Sequence, residues 1–328
     1  MSRITAHIRA FFHHEQYHGW FRKRRFFEGW YFKMVDRTGA HAYAFIPGIA
    51  MDAAGKRQAF IQVLDGIRVT AQYHAFDPDF FRPYEKRFKV KLQDNSFSMN
   101  RIKLQLPDIK GQIHFSEHTL WPKKWWSPGI MGWYSFVPFI DCYHQVVSLD
   151  CALTGKLIIH GKEVDFNGGR GYIEKDWGRS FPSSWIWMQS NHFSATGTSF
   201  KLSVARIPWV GNAFVGFICA LLLNGRIYRF ATYTGAKLRK IDIYDAGAHI
   251  VLEDARHILE VRAEKAPGAE LASPVLGLME GRVKESMQAL IHIQLRDKKE
   301  NRLIFSDTGK NAGLEIAGNT HELLAFSA

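Results

Sequence analysis

Apolar and polar positions alternate along most of this chain in short runs, the period of strands buried on one face. Phe27–Val35 (FEGWYFKMV), His41–Ile46, Ala59–Leu64, Phe88–Leu92, Phe97–Asn100 and Ile102–Leu106 are rich in aromatic and branched residues, with turn signals at Asp36-Arg-Thr-Gly39 and Asp94-Asn95. The style recurs at Leu157–His160, Trp185–Asn191, Phe200–Arg206, Gly216–Leu222, Ile227–Thr234, Ile241–Tyr244, His249–Glu253, Ile258–Ala263 and Ala289–Leu295. Asn224-Gly225, set between two such runs, is the strongest hairpin signal. Helical periodicity is confined to Ile4–Phe12 and to Gly281–Met287. The pattern predicts an all-β, antiparallel protein.

Leu120–Phe139 (LWPKKWWSPGIMGWYSFVPF) breaks the pattern, because proline removes ladder donors. A connection of that length is either a packed core loop or a binding loop. If it lines a pocket, Trp125, Trp126, Trp133 and Tyr134 form an apolar wall. No short-period repeat, dinucleotide fingerprint, P-loop, nucleophile elbow or zinc-protease helix motif is present. The glycines at 168, 169 and 171 read as a tight turn, not a phosphate cradle, since no Lys-Ser/Thr and helix follow.

The candidate chemistry lies in Gly168–Asn191, GGRGYIEKDWGRSFPSSWIWMQSN. Tyr172, Glu174 and Asp176 are spaced by two, as are Trp185, Trp187, Gln189 and Asn191, so each set faces one side of its strand. Consecutive strands would then offer acids and indoles to one interior. An inward acid is desolvated and holds its proton towards neutrality, and a second carboxylate beside it separates an acid from a base. Turned outward, the same acids form a surface cluster with Arg170, Lys175 and Arg179. Glu28, inside the aromatic run at 27–33, is either a third acid of the site or a brace for a neighbouring strand. His144 and Tyr143 are weaker candidates, because a lone buried histidine is usually structural.

With 46% hydrophobic and 23% charged residues the 328-residue chain can build real cores. Its 25 Phe, 11 Tyr and 10 Trp suit wide barrels or pockets for long apolar ligands. Three cysteines without metal spacing argue against a disulfide framework or a zinc site, and for a reducing compartment. Net charge is +12, densest at Arg22, Lys23, Arg24 and Arg25 beside Trp20, Phe21, Phe26 and Phe27. This is either a solvated arm or a contact with an anionic membrane surface. No recognition module supports nucleic-acid binding. No secretory signal is visible, and the most apolar run, Ala213–Leu223, is too short to span a bilayer, which together suggest a cytoplasmic protein.

At these residues the sequence resembles the tocopherol cyclase family. The carrying segments are FEGWYFK at 27–33, PGIMGW at 128–133, GYIEKDWG at 171–178 running into Phe181-Pro182, WIWMQSN at 185–191, and AGLEIAG at 312–318. Asp176 stands where the plant pattern has Asn, adding a negative charge beside Glu174. The stretch at 172–178 is also similar to the Y-x-D-H-x-W-G of carotenoid hydratases, which have a two-barrel, lipocalin-like architecture. The resemblance thus implies two tandem lipocalin-like barrels, over 1–180 and 181–328. It further implies protonation of an isoprenoid alkene of a prenylated hydroquinone and capture of the cation by the phenol oxygen, with neither metal nor cofactor. Aligned this way, Glu174 is the proton donor and Asp176 sets its ionisation or relays protons. Trp30, Trp133, Trp185 and Trp187 would contact the substrate or its cation, while Tyr31, Gln189 and Asn191 orient the nucleophile and Glu28 is a further acid. The rival readings are an isoprenoid hydratase, a non-catalytic carrier of a quinone or isoprenoid lipid, and an interaction module docked on a membrane.

Overall fold

The computed structural model describes residues 3–138, 140–209 and 211–324. Alternation does produce strands nearly throughout, in two antiparallel sheets of twelve and ten strands. The first sheet holds β1 (Phe26–Val35), β2 (Ala42–Met51), β3 (Arg57–Asp65), β4 (Thr70–Phe76), β5 (Phe81–Pro83) and β6 (Lys89–Leu92). It continues with β7 (Asn95–Ser98), β8 (Arg101–Gln105), β9 (Ile109–Thr119), β10 (Cys142–Ile159), β11 (Lys162–Asp165) and β12 (Arg170–Gly178). Their order is 4-3-2-1-12-10-9-8-7-6-5, with β11 on β10. Neighbours otherwise follow the chain, but β4 and β5 end the path at opposite edges, β12 pairs with β10 past β11, and the last strand pairs with the first.

The second sheet repeats this plan. It comprises β13 (Ser184–Ser190), β14 (Ser199–Trp209), β15 (Asn212–Leu223), β16 (Arg226–Ala231) and β17 (Lys237–Tyr244). After them come β18 (Gly247–Glu253), β19 (His257–Glu264), β20 (Ala269–Val275), β21 (Leu278–Asp297) and β22 (Arg302–Gly318). The order is 16-15-14-13-22-21-19-18-17, with β20 on β21. β22 therefore closes on β13 as β12 closes on β1. The architecture is two lipocalin-like antiparallel barrels.

Each sheet curls around its own core. Trp30, Phe32, Phe45, Phe97, Phe115 and Trp177 lie in the first; Phe200, Leu202, Phe217, Phe230 and Ile291 lie in the second. Burying each such side chain stabilises its unit by roughly 1.5–3 kcal/mol. The chain separates into two compact units, Met1–Phe181 with Leu271–Arg282, and Pro182–Glu270 with Val283–Ala328. Residues 271–282 return to the first unit, where Gln62 exchanges hydrogen bonds with the Ala272 backbone at 3.0 and 2.8 Å.

Local expectations are mostly met. Asn224-Gly225 links β15 to β16 with both residues at positive φ, 51° and 73°, the two-residue turn that suits strand twist. Helix α1 spans Arg3–Ala10 and α2 spans His321–Leu324. Gly281–Met287, expected as a helix, is instead part of β21. Val283, Glu285, Ser286 and Met287 are buried there while Lys284 is exposed, and sheet pairing overrides the helix-favouring Lys, Glu and Met. Among the described residues no helix is long and apolar enough to cross a membrane.

Candidate functional site

β12 runs between β1 and β10, so its side chains have neighbours on both flanks. Its alternation sends Tyr172, Glu174 and Asp176 to one face and Ile173, Lys175 and Trp177 to the other. Glu174 lies opposite Tyr31 of β1 and Val146 of β10; Asp176 lies opposite Gly29 and His144. Gly178 ends the strand at φ 154°, where any side chain would collide with the Asp141 carbonyl.

On the first face four titratable groups gather. The Tyr172 hydroxyl donates to Glu174 Oε2 at 2.6 Å. His144 Nε2 stands 3.6 Å from that same oxygen, and its Nδ1 bonds Asp176 Oδ1 at 2.8 Å. Tyr172 is fully buried and Glu174 is 4% exposed, whereas the Asp176 side chain is 24% exposed. The four thus lead from solvent to a buried carboxyl. Burial, and then the charge of Glu174, push the Tyr172 phenol well above its usual range, so it remains a donor. An Nδ1–H donated to Asp176 leaves Nε2 of His144 facing Glu174. Cys142, 3.8 Å from Asp176, is held as a thiol by burial and by that carboxylate. Ligand atoms of His144, Glu174 and Asp176 lie within 4.8 Å of one another, so these three side chains could also hold a divalent cation.

The opposite face of the same strands carries a buried ion pair. Lys175 Nζ is 2.5 Å from Glu28 Oε1, and both side chains are fully buried. The ammonium also donates to the carbonyls of His14 and Gln16 and to His18 Nδ1, and it stands over the rings of Trp30 and Trp177 at 4.9 and 4.7 Å. Glu28 in turn accepts the amides of His18 and Gly19 at 3.0 and 3.2 Å. The Trp30 indole donates to the Glu15 carbonyl at 2.9 Å. Glu28 therefore braces the segment before β1, on the face away from Glu174, and Trp30 belongs to the barrel core.

The indoles of β13 do not join the acids in one sheet. β12 and β13 are consecutive in sequence, yet β12 pairs with β1 and β10 while β13 pairs with β14 and β22. The residues between them carry the chain from one unit to the other instead of turning a hairpin. Trp185 Nε1 donates to Glu315 Oε2 at 2.6 Å, and the Trp187 ring covers Gly313. Gln189 is buried on that strand, and Asn191 is buried just past its end.

In the connection at 120–138, Trp125, Trp126 and Trp133 are exposed, the first two edge to face and the third stacked on Tyr134 at 4.1 Å. Phe139 lies outside the described residues. Arg22, Lys23, Arg24 and Arg25 are all exposed. His144 is the group that sequence reasoning undervalued. Its spacing from β12 carries no signal, and only the β10–β12 ladder brings it beside both acids.

Comparison with known proteins gives the family and the fold. A family model described as tocopherol cyclase-like matches residues 118–318, more than half of the chain. A probable chloroplastic tocopherol cyclase of Oryza sativa subsp. japonica is 28% identical over 200 residues, which cover 57% of this chain and 42% of the rice protein. The chloroplastic tocopherol cyclase of Zea mays is 26% identical over 198 residues, covering 57% and 41%. The match thus spans less than half the length of either plant protein. Among solved structures, an AttH candidate from Nitrosomonas europaea superposes with a TM-score of 0.56 at 13% identity, over 89% of this chain and 92% of that one. CghA in complex with Sch210972 gives 0.53 at 12% identity, over 90% and 89%. At such identities these structures speak for the two-barrel fold alone. Together with the motifs on β1, β12 and β13, the family match shows that this chain belongs to the tocopherol cyclase-like family.

Proposed function

We propose that the Tyr172–Glu174–His144–Asp176 chain is the proton-transfer site of a cyclase acting on a prenylated hydroquinone. Glu174 delivers its proton to the less substituted alkene carbon, leaving a tertiary cation. The phenol oxygen attacks that cation, and the phenolic proton returns to the Glu174 carboxylate, directly or through His144 and Asp176. Proton gained and proton lost balance, so product and substrate are isomers. Tyr31, opposite Glu174, presents a ring that stabilises the cation by cation–π attraction. Tyr172 orients the carboxyl through its 2.6 Å hydrogen bond.

The observation that carries this reading is a buried carboxyl linked through one histidine to a partly exposed one. The family membership and the plant relatives' names support the substrate class. The exposed Arg22–Arg25 run would bring the protein to anionic membrane surfaces, where such apolar substrates reside.

The test is incubation with a phytyl or geranylgeranyl hydroquinone in D₂O, followed by mass spectrometry. The expected product is an isomer carrying one carbon-bound deuterium, with turnover reduced roughly 10²–10⁴-fold in Glu174→Gln, the usual worth of a general acid. Unchanged turnover in that variant refutes the assignment. Hydroquinone recovered unaltered on the protein would identify a carrier, and a product heavier by one water a hydratase.

A further inference from the structure

A second site lies in the first unit, on residues the proposed reaction does not use. A cleft of about 670 Å³ opens where β6 begins and β8 meets β9, between these strands, the segment Arg9–Gln16 and residues 120–123. That volume suits one small ligand. Six cations line it, Arg9, Lys86, Arg87, Lys89, Arg101 and Lys123, against the single carboxylate of Glu15. Glu15 is already engaged, at 2.8 Å by Lys123 and 3.1 Å by His13. The remaining positive charge is concentrated by the ladder. Lys89 and Arg101 both pair with Ser98, and Arg101 pairs with His114, so three nitrogen-bearing side chains fall in one row across four strands. Lys89 and Arg87 are also held together over the Tyr84 ring, at 4.9 and 5.9 Å.

Like charges gathered so closely repel unless an anion sits among them. Arg9 lines the cleft, and its Nε is buried with no hydrogen-bond partner. Beside polar Gln16, Ser96, Ser98, Asn100 and Gln145, the lining carries an apolar side made by Phe88, Met99, Leu120, Trp121 and Val147. We propose that this cleft binds an amphiphile with a multiply charged, phosphate-type head, its head among Arg9, Lys89 and Arg101 and its chain along Phe88, Trp121 and Val147. A carboxylate carries a single charge, whereas a phosphate monoester carries about −1.5 to −2 with three acceptor oxygens, which matches the excess of donors.

The experiment is isothermal titration of the full chain with dodecyl phosphate below its micellar concentration. Inorganic phosphate and the neutral detergent dodecyl maltoside run in parallel. One-to-one binding of dodecyl phosphate is expected, stronger than that of either control. Arg87→Gln/Arg101→Gln removes two exposed cations of the cleft and should weaken binding roughly tenfold or more, two charge-assisted hydrogen bonds being at stake. Lys91→Gln/Lys110→Gln removes the same charge from exposed positions outside the cleft and should leave affinity unchanged. Phosphatidylcholine vesicles containing phosphatidic acid distinguish the source of the head group. Vesicle binding lost in the cleft variant, without binding of free dodecyl phosphate, would place the head group on a membrane lipid. Equal loss in both double variants, equal affinity for inorganic and dodecyl phosphate, or no binding of any probe would overturn the proposal.

Discussion

Replacing Lys175 by methionine tests whether Glu28 serves the reaction or the architecture. The ammonium is fully buried, 2.5 Å from Glu28, and also satisfies two backbone carbonyls and His18 Nδ1. Methionine fills a similar volume but strands the carboxylate among the His18 and Gly19 amides and leaves the His14 and Gln16 carbonyls without this donor. Breaking a buried pair by removing one partner costs about 3–5 kcal/mol, because an uncompensated charge remains. That is a large part of the roughly 5–15 kcal/mol that holds a domain together. Burial raises the Glu28 carboxyl and the Lys175 charge opposes this, so without the lysine Glu28 would take up a proton and recover part of the loss. Lys175→Met/Glu28→Gln removes the stranded charge and should be more stable than the sum of the single changes predicts, by about 1–3 kcal/mol. Urea titration followed by tryptophan fluorescence measures this, since Trp30 and Trp177 flank the ammonium and report the first unit. Additive single changes, or a loss under about 1 kcal/mol in Lys175→Met, would refute the buried-pair account. Turnover per folded molecule in Glu28→Gln, compared with Glu174→Gln, then separates brace from acid: only the second should fall by orders of magnitude.

Three further outcomes are expected. Asp176→Asn leaves the His144 Nδ1 bond without its charge, so kcat should drop roughly tenfold and the pH–rate profile should shift, with no change in folding; an unmoved profile would exclude His144 and Asp176 from the relay. Burial holds His14 down at about 3 and His18 well below its ordinary value, so both stay neutral when folded and gain protons on unfolding below pH ~6.5. Stability should therefore fall as pH drops from ~6.5 towards 3, with a slope of up to ~2.7 kcal/mol per pH unit for two protons, and a flat denaturation midpoint between pH 7 and 5 would contradict their burial. Changing Arg22, Lys23, Arg24 and Arg25 to Gln should reduce co-sedimentation with phosphatidylserine vesicles by roughly two to three orders of magnitude in affinity; retained binding would locate any membrane contact elsewhere.

The acid face of β12 was legible because a period of two is a purely local rule. So was the Asn224-Gly225 turn, whose positive φ angles demand those residue types. The partner strands were not. Nothing near Glu174 in sequence announces His144, and their meeting depends on a ladder whose register shifts twice along β10. Long strands such as β10 and β22 were read short or missed, because bulges and bends interrupt alternation that the sheet nonetheless continues. Consecutive runs of acids and indoles suggest one shared interior, since strands adjacent in sequence usually neighbour one another. Here the connection crosses between units, a choice made by where β1 and β22 offer free edges.

The pairing of last strand with first has a consequence for how the protein is made. Phe27 lies opposite Gly178, so β1 waits for a partner that the ribosome supplies about 150 residues later. At about 5–20 residues per second the wait lasts roughly 8–30 s. During it an apolar strand, FEGWYFKMV, has one edge open to any other nascent chain. Tyr31, His144 and Glu174 come together only when that edge closes, so the candidate site cannot exist before the first barrel does. Slow codons or a chaperone acting after residue 178 has left the tunnel would therefore raise the yield of active protein, whereas the same pause before it would feed aggregation.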